Sequence, residues 1–167
     1  MHQMKVINLK SHYSNPPIKE LIKSKDMKIY IASSWKNQHG VEMLTALLRD
    51  QGHEVISWIE NNHEEWAVVS NMGFDKWVNS EGGTRSFVFD TDGATKCDLL
   101  IYYAPSGKDA CAELGAAWGA GVPIIGLYAK GEDLGLMRRM MQNWYHNYRD
   151  LLLAVSEFSH GRILTVE

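Results

Sequence analysis

The run "CDLLIYYAP" (97–105) is apolar or aromatic at every position from Leu99 to Tyr103, and a proline ends it. A strand with no polar face must be covered on both sides. Such strands belong to parallel sheets flanked by helices. The rest of the chain supplies the partners that this requires. "MKIYIASSW" (27–35) reads as a strand entering a polar turn, with β-branched Ile29 and Ile31 around Tyr30. "GVEMLTALLRDQG" follows at helical spacing. Val41, Leu44, Leu47 and Leu48 form one stripe, and Gly52 fits the stop. "HEVISWI" (53–59) is a second strand, so the chain opens β-α-β.

Beyond the central strand come a loop "PSGKD", a helix from about Ala110 to Ala120 stopped by Gly121, and the strand "VPIIGLY". "DLGLMRRMMQ" reads as a helix, "NWYHN" as a short last strand and "RDLLLAVSEF" as a leucine-rich helix. Residues 60–97 read as two helical pieces around a break at Gly82–Gly83. Alternating elements of this kind predict an α/β fold: a flavodoxin-like doubly wound sheet of about five parallel strands. Residues 1–26 are expected to be an N-terminal extension, with "KVINL" a short strand and "IKELIKSKD" two helical turns. Residues 27–167 would form the domain.

Charge and composition narrow the function. The formal net charge is −3, with no long basic or acidic run, which argues against nucleic acid or an anionic membrane as partner. No apolar stretch is long enough to span a bilayer, and "MHQMKVINLKSHYSNPP" lacks the apolar core of a signal peptide. Two cysteines, Cys97 and Cys111, make no disulfide framework, so a cytoplasmic location is expected. The seven histidines show no paired ligand spacing, and neither G-x-x-x-x-G-K-[ST] nor G-x-G-x-x-G occurs. Neither a metal nor a cofactor is expected.

Ligands of doubly wound sheets bind outside the carboxyl ends of the strands. That singles out the loops Ser33–Asn37, Ala104–Asp109 and Ala129–Asp133. Beyond the second loop, Glu113 is an acid among small and apolar residues, with Ala116, Ala117 and Ala120 on its helical face. Ser106 or Asp109 is expected to cap this helix, which puts Glu113 in or near the first turn. Positive charge at a helix N-terminus favours an ionised carboxylate there. Such a group can attack an electron-poor carbon or stabilise a cationic one. The plain alternative is a Glu that only complements the dipole or completes a capping box. Cys111 is read as a small buried residue, and Trp118, sharing a face with Leu114, as core. Trp58, Trp66 and Trp77 are read as core or lid residues.

The stretch "AELGAAWGAGVPIIGLY" resembles the nucleoside 2-deoxyribosyltransferase family, which carries Glu-Leu-Gly-x-Ala after its central strand. The resemblance covers roughly residues 27–141. It implies that Glu113 is a nucleophile and that Tyr30 of "KIYIASSW" holds it by a hydrogen bond. In "FDTDGATKCDLLIYY" it implies Asp90 as the acid that helps protonate the leaving base, with Asp92 as an off-register alternative. "LGLMRRM" resembles a segment that a neighbouring subunit inserts into the site. This implies Met137 there, and a homodimer or larger homo-oligomer. The substrate would be a small-molecule nucleoside or nucleotide. Ser33 and Ser34 would meet sugar or phosphate oxygens, and Trp35 would stack a base or simply pack over the sheet edge. Ser106, Gly107 and Asp109 would complete the binding set. The pattern is not complete: Gly107 stands where the family often has an Asp, Gly135 where it has an Asn, and "GRILTVE" does not match its C-terminal carboxylate. "SGKDACAEL" also looks like the Ser…Cys-x-x-Glu-Leu stretch of TIR domains, which would make the substrate NAD. A non-catalytic nucleotide-sensing module is a third reading.

Overall fold

The computed structural model of the 167-residue chain describes residues 26–61, 71–132 and 135–161. The expectations for "KVINL", "IKELIKSKD", Trp66, Asp133 and the tail beyond Gly161 lie outside the described residues.

Five parallel strands form one sheet: β1 (Lys28–Ala32), β2 (Glu54–Ile56), β3 (Leu99–Tyr103), β4 (Ile124–Leu127) and β5 (Asn143–Tyr145). Their spatial order is β2-β1-β3-β4-β5. This is the flavodoxin-like arrangement that the alternation of elements predicted. Ile29, Tyr30, Ile31 and Ala32 are all buried, so both faces of β1 are covered, and Leu99, Leu100 and Ile101 of β3 are sealed completely. β1 pairs with β2 on one side and β3 on the other, with Tyr30 opposite Ile56 and Leu100. The chain reverses its direction of winding between β1 and β3. The two loops that leave these strands therefore diverge and open a crevice.

The helices are α1 (Gln38–Asp50), α2 (Trp58–Asn61), α3 (Phe74–Val78), α4 (Glu81–Lys96), α5 (Lys108–Gly119) and α6 (Tyr148–Ser159). α4 and α5 pack against each other and against β1, while α6 packs on β4 and β5. α1 ends at Gly52 and α5 at Gly121, both with positive φ, as their stop signals predicted.

Several expectations need correction. Gly82 and Gly83 are not a break: they lie in the first turn of α4, whose N-cap is Ser80, its hydroxyl accepting from Gly83 N at 3.2 Å. A Cβ on Gly83 would stand 2.4 Å from the Trp77 carbonyl oxygen, so the glycine lets α3 close against α4. The described part of "DLGLMRRMMQ", from Gly135 on, forms a short 3-10 helix, Leu136–Met140. Its helix cannot continue because the sheet captures the chain, Gln142 N donating to Ile124 O at 2.8 Å. In α1 the buried stripe is Val41, Leu44, Thr45 and Leu48, and Leu47 lies outside it at 37% exposure. In α5 the buried stripe is Ala110, Leu114 and Ala117. Trp118 is one residue past it, about 100° around the helix, and is 59% exposed rather than core. Cys111 is likewise exposed.

Candidate active site

β1, α4 and α5 each bring one acidic group to a single point. Tyr30 projects from β1 with no exposed surface. Its hydroxyl lies 3.1 Å from Oε1 of Glu113 on α5 and 3.4 Å from Oδ1 of Asp90 on α4. The structure brings these three residues together from well-separated parts of the sequence. Asp92, the off-register alternative, faces outward and pairs with Lys96 at 2.7 Å. Asp90 and Asp92 are two apart on a helix, so only one of them can face β1.

The electrostatics differ from the sequence expectation. α5 starts at Lys108 with Gly107 as N-cap and no side-chain cap; neither Ser106 nor Asp109 fills that role. Glu113 is the sixth helical residue, beyond the turn where the dipole acts strongly. Burial, reinforced by the Asp90 charge, pushes its carboxyl up to about 8, and the Tyr30 hydrogen bond only partly offsets this. The Tyr30 hydroxyl is itself raised, chiefly by burial and then by the Glu113 charge. Burial and the Asp90 charge thus both favour the protonated form of Glu113. One phenol proton serves two carboxyl groups, so the three groups form a chain along which a proton can move.

The loops above this cluster are fastened together. Ser33 Oγ donates to Tyr103 O at 2.8 Å, and Asn37 Nδ2 donates to Ser33 Oγ at 3.0 Å and to Pro105 O at 2.7 Å. Ser33 thus ties the loop after β1 to the end of β3. Ser34 Oγ accepts from Lys36 N at 3.3 Å and faces Gly107, whose ideal Cβ position is 3.9 Å away. Asp109, in the first turn of α5, is close enough to add to the upward push on Glu113. Trp35 is half-buried and packs edge-on against Trp58, ring centroids 4.7 Å apart. Trp58 is core, its Nε1 donating to Ile31 O at 2.8 Å.

Two expected binding residues lie elsewhere. Ser106 is hydrogen-bonded to the Tyr102 hydroxyl, and Met137 is exposed on the 3-10 helix Leu136–Met140. Both line a cavity of about 340 Å³ shared with Tyr102, Cys111 and Trp144. A larger groove of about 950 Å³ follows β2 and α4, and includes neither Tyr30 nor Glu113. Its Lys28 and Lys96 are paired with Glu54 and Asp92. Sequence reasoning did not single out Gly93, which contacts the Tyr30 ring. A small residue one turn after Asp90, on the same helical face, was the available signal.

Comparison with known proteins places this geometry among related folds. The chain is similar to a 2-deoxyribosyltransferase from Bacillus psychrosaccharolyticus, with 23% identity and a TM-score of 0.61 over 75% of this chain and 90% of that one. It is also similar to the CMP N-glycosidase BcmB of Clostridium botulinum, with 18% identity and a TM-score of 0.50 over 77% and 97%. A conserved protein from Enterococcus faecalis V583 superposes with a TM-score of 0.54 at 18% identity, over 83% of this chain and 99% of that one. At these identities the likeness is one of fold. No protein-family model and no curated protein matches the sequence.

Proposed function

We propose that this chain is an enzyme that cleaves or transfers at the N-glycosidic bond of a nucleoside or nucleotide, with Glu113 as the nucleophile. The observation that carries the reading is the Tyr30 hydroxyl within reach of both Glu113 and Asp90. Attack on an anomeric carbon needs one carboxylate at the carbon and one proton donor at the departing base. The cluster supplies both from a single proton. That proton starts on Glu113, passes through the Tyr30 hydroxyl to Asp90, and is delivered to the base. As it leaves, Glu113 becomes ionised. The bond from C1′ to the base nitrogen breaks, and a bond from C1′ to a Glu113 oxygen forms. Water or a second base then attacks C1′, giving its proton to the Asp90 carboxylate, as the bond from C1′ to Glu113 breaks; two inversions give net retention. In the transition state of each step the sugar carries positive charge, which the Glu113 carboxylate beside it stabilises.

The fold shared with a deoxyribosyltransferase and a CMP N-glycosidase supports this reading. So do the elements that carry the cluster: Tyr30 is on β1 and Glu113 on the helix that follows β3, the two strands at the reversal, beyond whose carboxyl ends doubly wound sheets hold ligands. In this proposal Ser34 and the uncapped N-terminus of α5 at Gly107 receive sugar or phosphate oxygens. Trp35 offers its ring to the base, and Asp109 stands at the mouth. Ser33 acts by holding the loop. The 3-10 helix Leu136–Met140, with Met137 55% exposed, is free to enter the crevice of a second copy.

The test is base release from a panel of nucleosides, deoxynucleotides and NAD, with and without an acceptor base, followed by chromatography. Release or exchange that disappears in Glu113→Ala is expected. Which substrate turns over separates a deoxyribosyltransferase-like enzyme from a TIR-like one. Ligand binding without turnover, in a folded protein, would overturn the catalytic reading in favour of a sensor.

A further inference from the structure

Resting on the reading of Tyr30, Asp90 and Glu113 as one unit, we propose that Gly93 is the positioning residue that sets its geometry. Gly93 lies on α4, one turn after Asp90, and is buried. A Cβ at this position would stand 2.6 Å from Cδ2 and 2.7 Å from Cε2 of the Tyr30 ring, with Ile56 Cγ2 at 3.4 Å. Carbon atoms do not approach so closely, so any side chain here forces the ring or the helix to move. The ring has no free space: Tyr30 is fully buried, and its strand is paired on both sides. α4 carries Asp90 and packs on α5, which carries Glu113. Displacing either partner therefore changes the 3.4 Å and 3.1 Å contacts of one hydroxyl with two carboxyl groups. The missing side chain is what lets the phenol sit deep enough to reach both. Gly82 on the same helix is different, since a Cβ there would meet nothing closer than 3.5 Å.

The experiment follows the Glu113 carboxyl directly and so does not depend on turnover. Protein labelled with carbon-13 at glutamate side-chain carboxyls is titrated by NMR, with Glu113 assigned through Glu113→Gln. Tyr30→Phe is expected to move the Glu113 midpoint upward, because the Tyr30 hydrogen bond holds it down. Gly93→Ala is expected to displace the midpoint too, and Gly82→Ala to leave it in place. If wild type turns over, Gly93→Ala lowers kcat by roughly 10–100-fold, the scale on which misplaced catalytic groups act. An unmoved Glu113 midpoint in folded Gly93→Ala overturns the proposal. A moved midpoint in a protein that shows no turnover sustains it and counts against the proposed function instead. If Gly93→Ala does not fold, Gly93→Ala/Tyr30→Leu is expected to fold, because the ring that the new methyl strikes is gone. Failure of that double variant also overturns the proposal.

Discussion

In its proposed role as nucleophile, Glu113 sits under two opposed demands. A nucleophile must be ionised, yet burial and the Asp90 charge hold its proton up to about 8. The Tyr30 hydroxyl reconciles them by linking the carboxyl that holds the proton to the one that would spend it. This has a pH consequence of definite sign. Below about pH 8 the cluster keeps the proton that an ordinary base needs in order to leave. Above it the proton is lost. For an ordinary nucleoside, kcat/KM is expected to fall as pH rises through about 8. For a substrate whose leaving group needs no proton, the same titration frees the nucleophile and kcat/KM is expected to rise. Parallel pH–rate profiles on the two substrate types check this, and two falling curves would remove Asp90 from the role of acid. Gly93 belongs to the same scale: an absent methyl group decides whether the phenol reaches its two partners.

At the scale of elements, the cluster is two helices converging on the middle residue of one strand. β1 supplies the phenol, α4 one carboxyl and α5 the other, and both helices rest on β1. Side chains hold the two loops above to each other. Asn37 bridges the loop after β1 to the loop after β3 through Ser33 Oγ and Pro105 O. Asn37→Ala removes two hydrogen bonds, a loss of about 1–3 kcal/mol. Urea denaturation is expected to show that loss. KM is expected to rise more than kcat falls, because the loops would bind substrate and the carboxyl pair beneath them stays intact. A kcat collapse with KM unchanged would place Asn37 in the chemistry instead. The sequence named both loops from strand polarity alone. It could not show that Ser33 would be spent on joining them, because its partner Tyr103 is 70 residues away.

Across the whole molecule, two buried groups pull stability in opposite pH directions. His53 is buried, with Nδ1 accepting from Met27 N and Nε2 unpartnered among the described residues. Burial lowers its pKa below 6.5, and the Asp26 charge only partly opposes this. The unfolded chain then binds the extra proton more readily. Stability is present in full above about pH 6.5 and is lost as pH falls through the depressed folded value. Glu113 acts in the other direction. Its folded pKa is raised from 4.5 to about 8, so the native state loses stability as pH rises across that interval. Thermal melts from pH 5 to 9 are expected to show Glu113→Gln gaining on wild type toward high pH. His53→Gln is expected to flatten the acid limb. Parallel melting curves for wild type and Glu113→Gln would mean that Glu113 titrates normally in the folded protein. Among the described residues no helix is long and apolar enough to cross a membrane.

The architecture was legible because it depends on local pattern. An apolar run such as Leu99–Tyr103 must be covered on both faces, strand and helix periods differ, and glycine stops such as Gly52 and Gly121 act within a few residues. The same locality made Glu113 stand out as an acid in a stretch of small residues. Where the sequence misled, the deciding contact was distant. The 3-10 helix Leu136–Met140 stops short because β4 captures Gln142. Trp118 is exposed because the stripe facing the sheet falls on Ala110, Leu114 and Ala117. The charge state of Glu113 depends on Asp90, 23 positions away in the chain. Sequence by itself determined which elements form and their order in the chain, since those follow from propensity and period. Only the tertiary structure decided that one phenol would stand between two carboxyls. Desolvation and hydrogen-bond geometry act through space, and their strength is set by what the fold brings near.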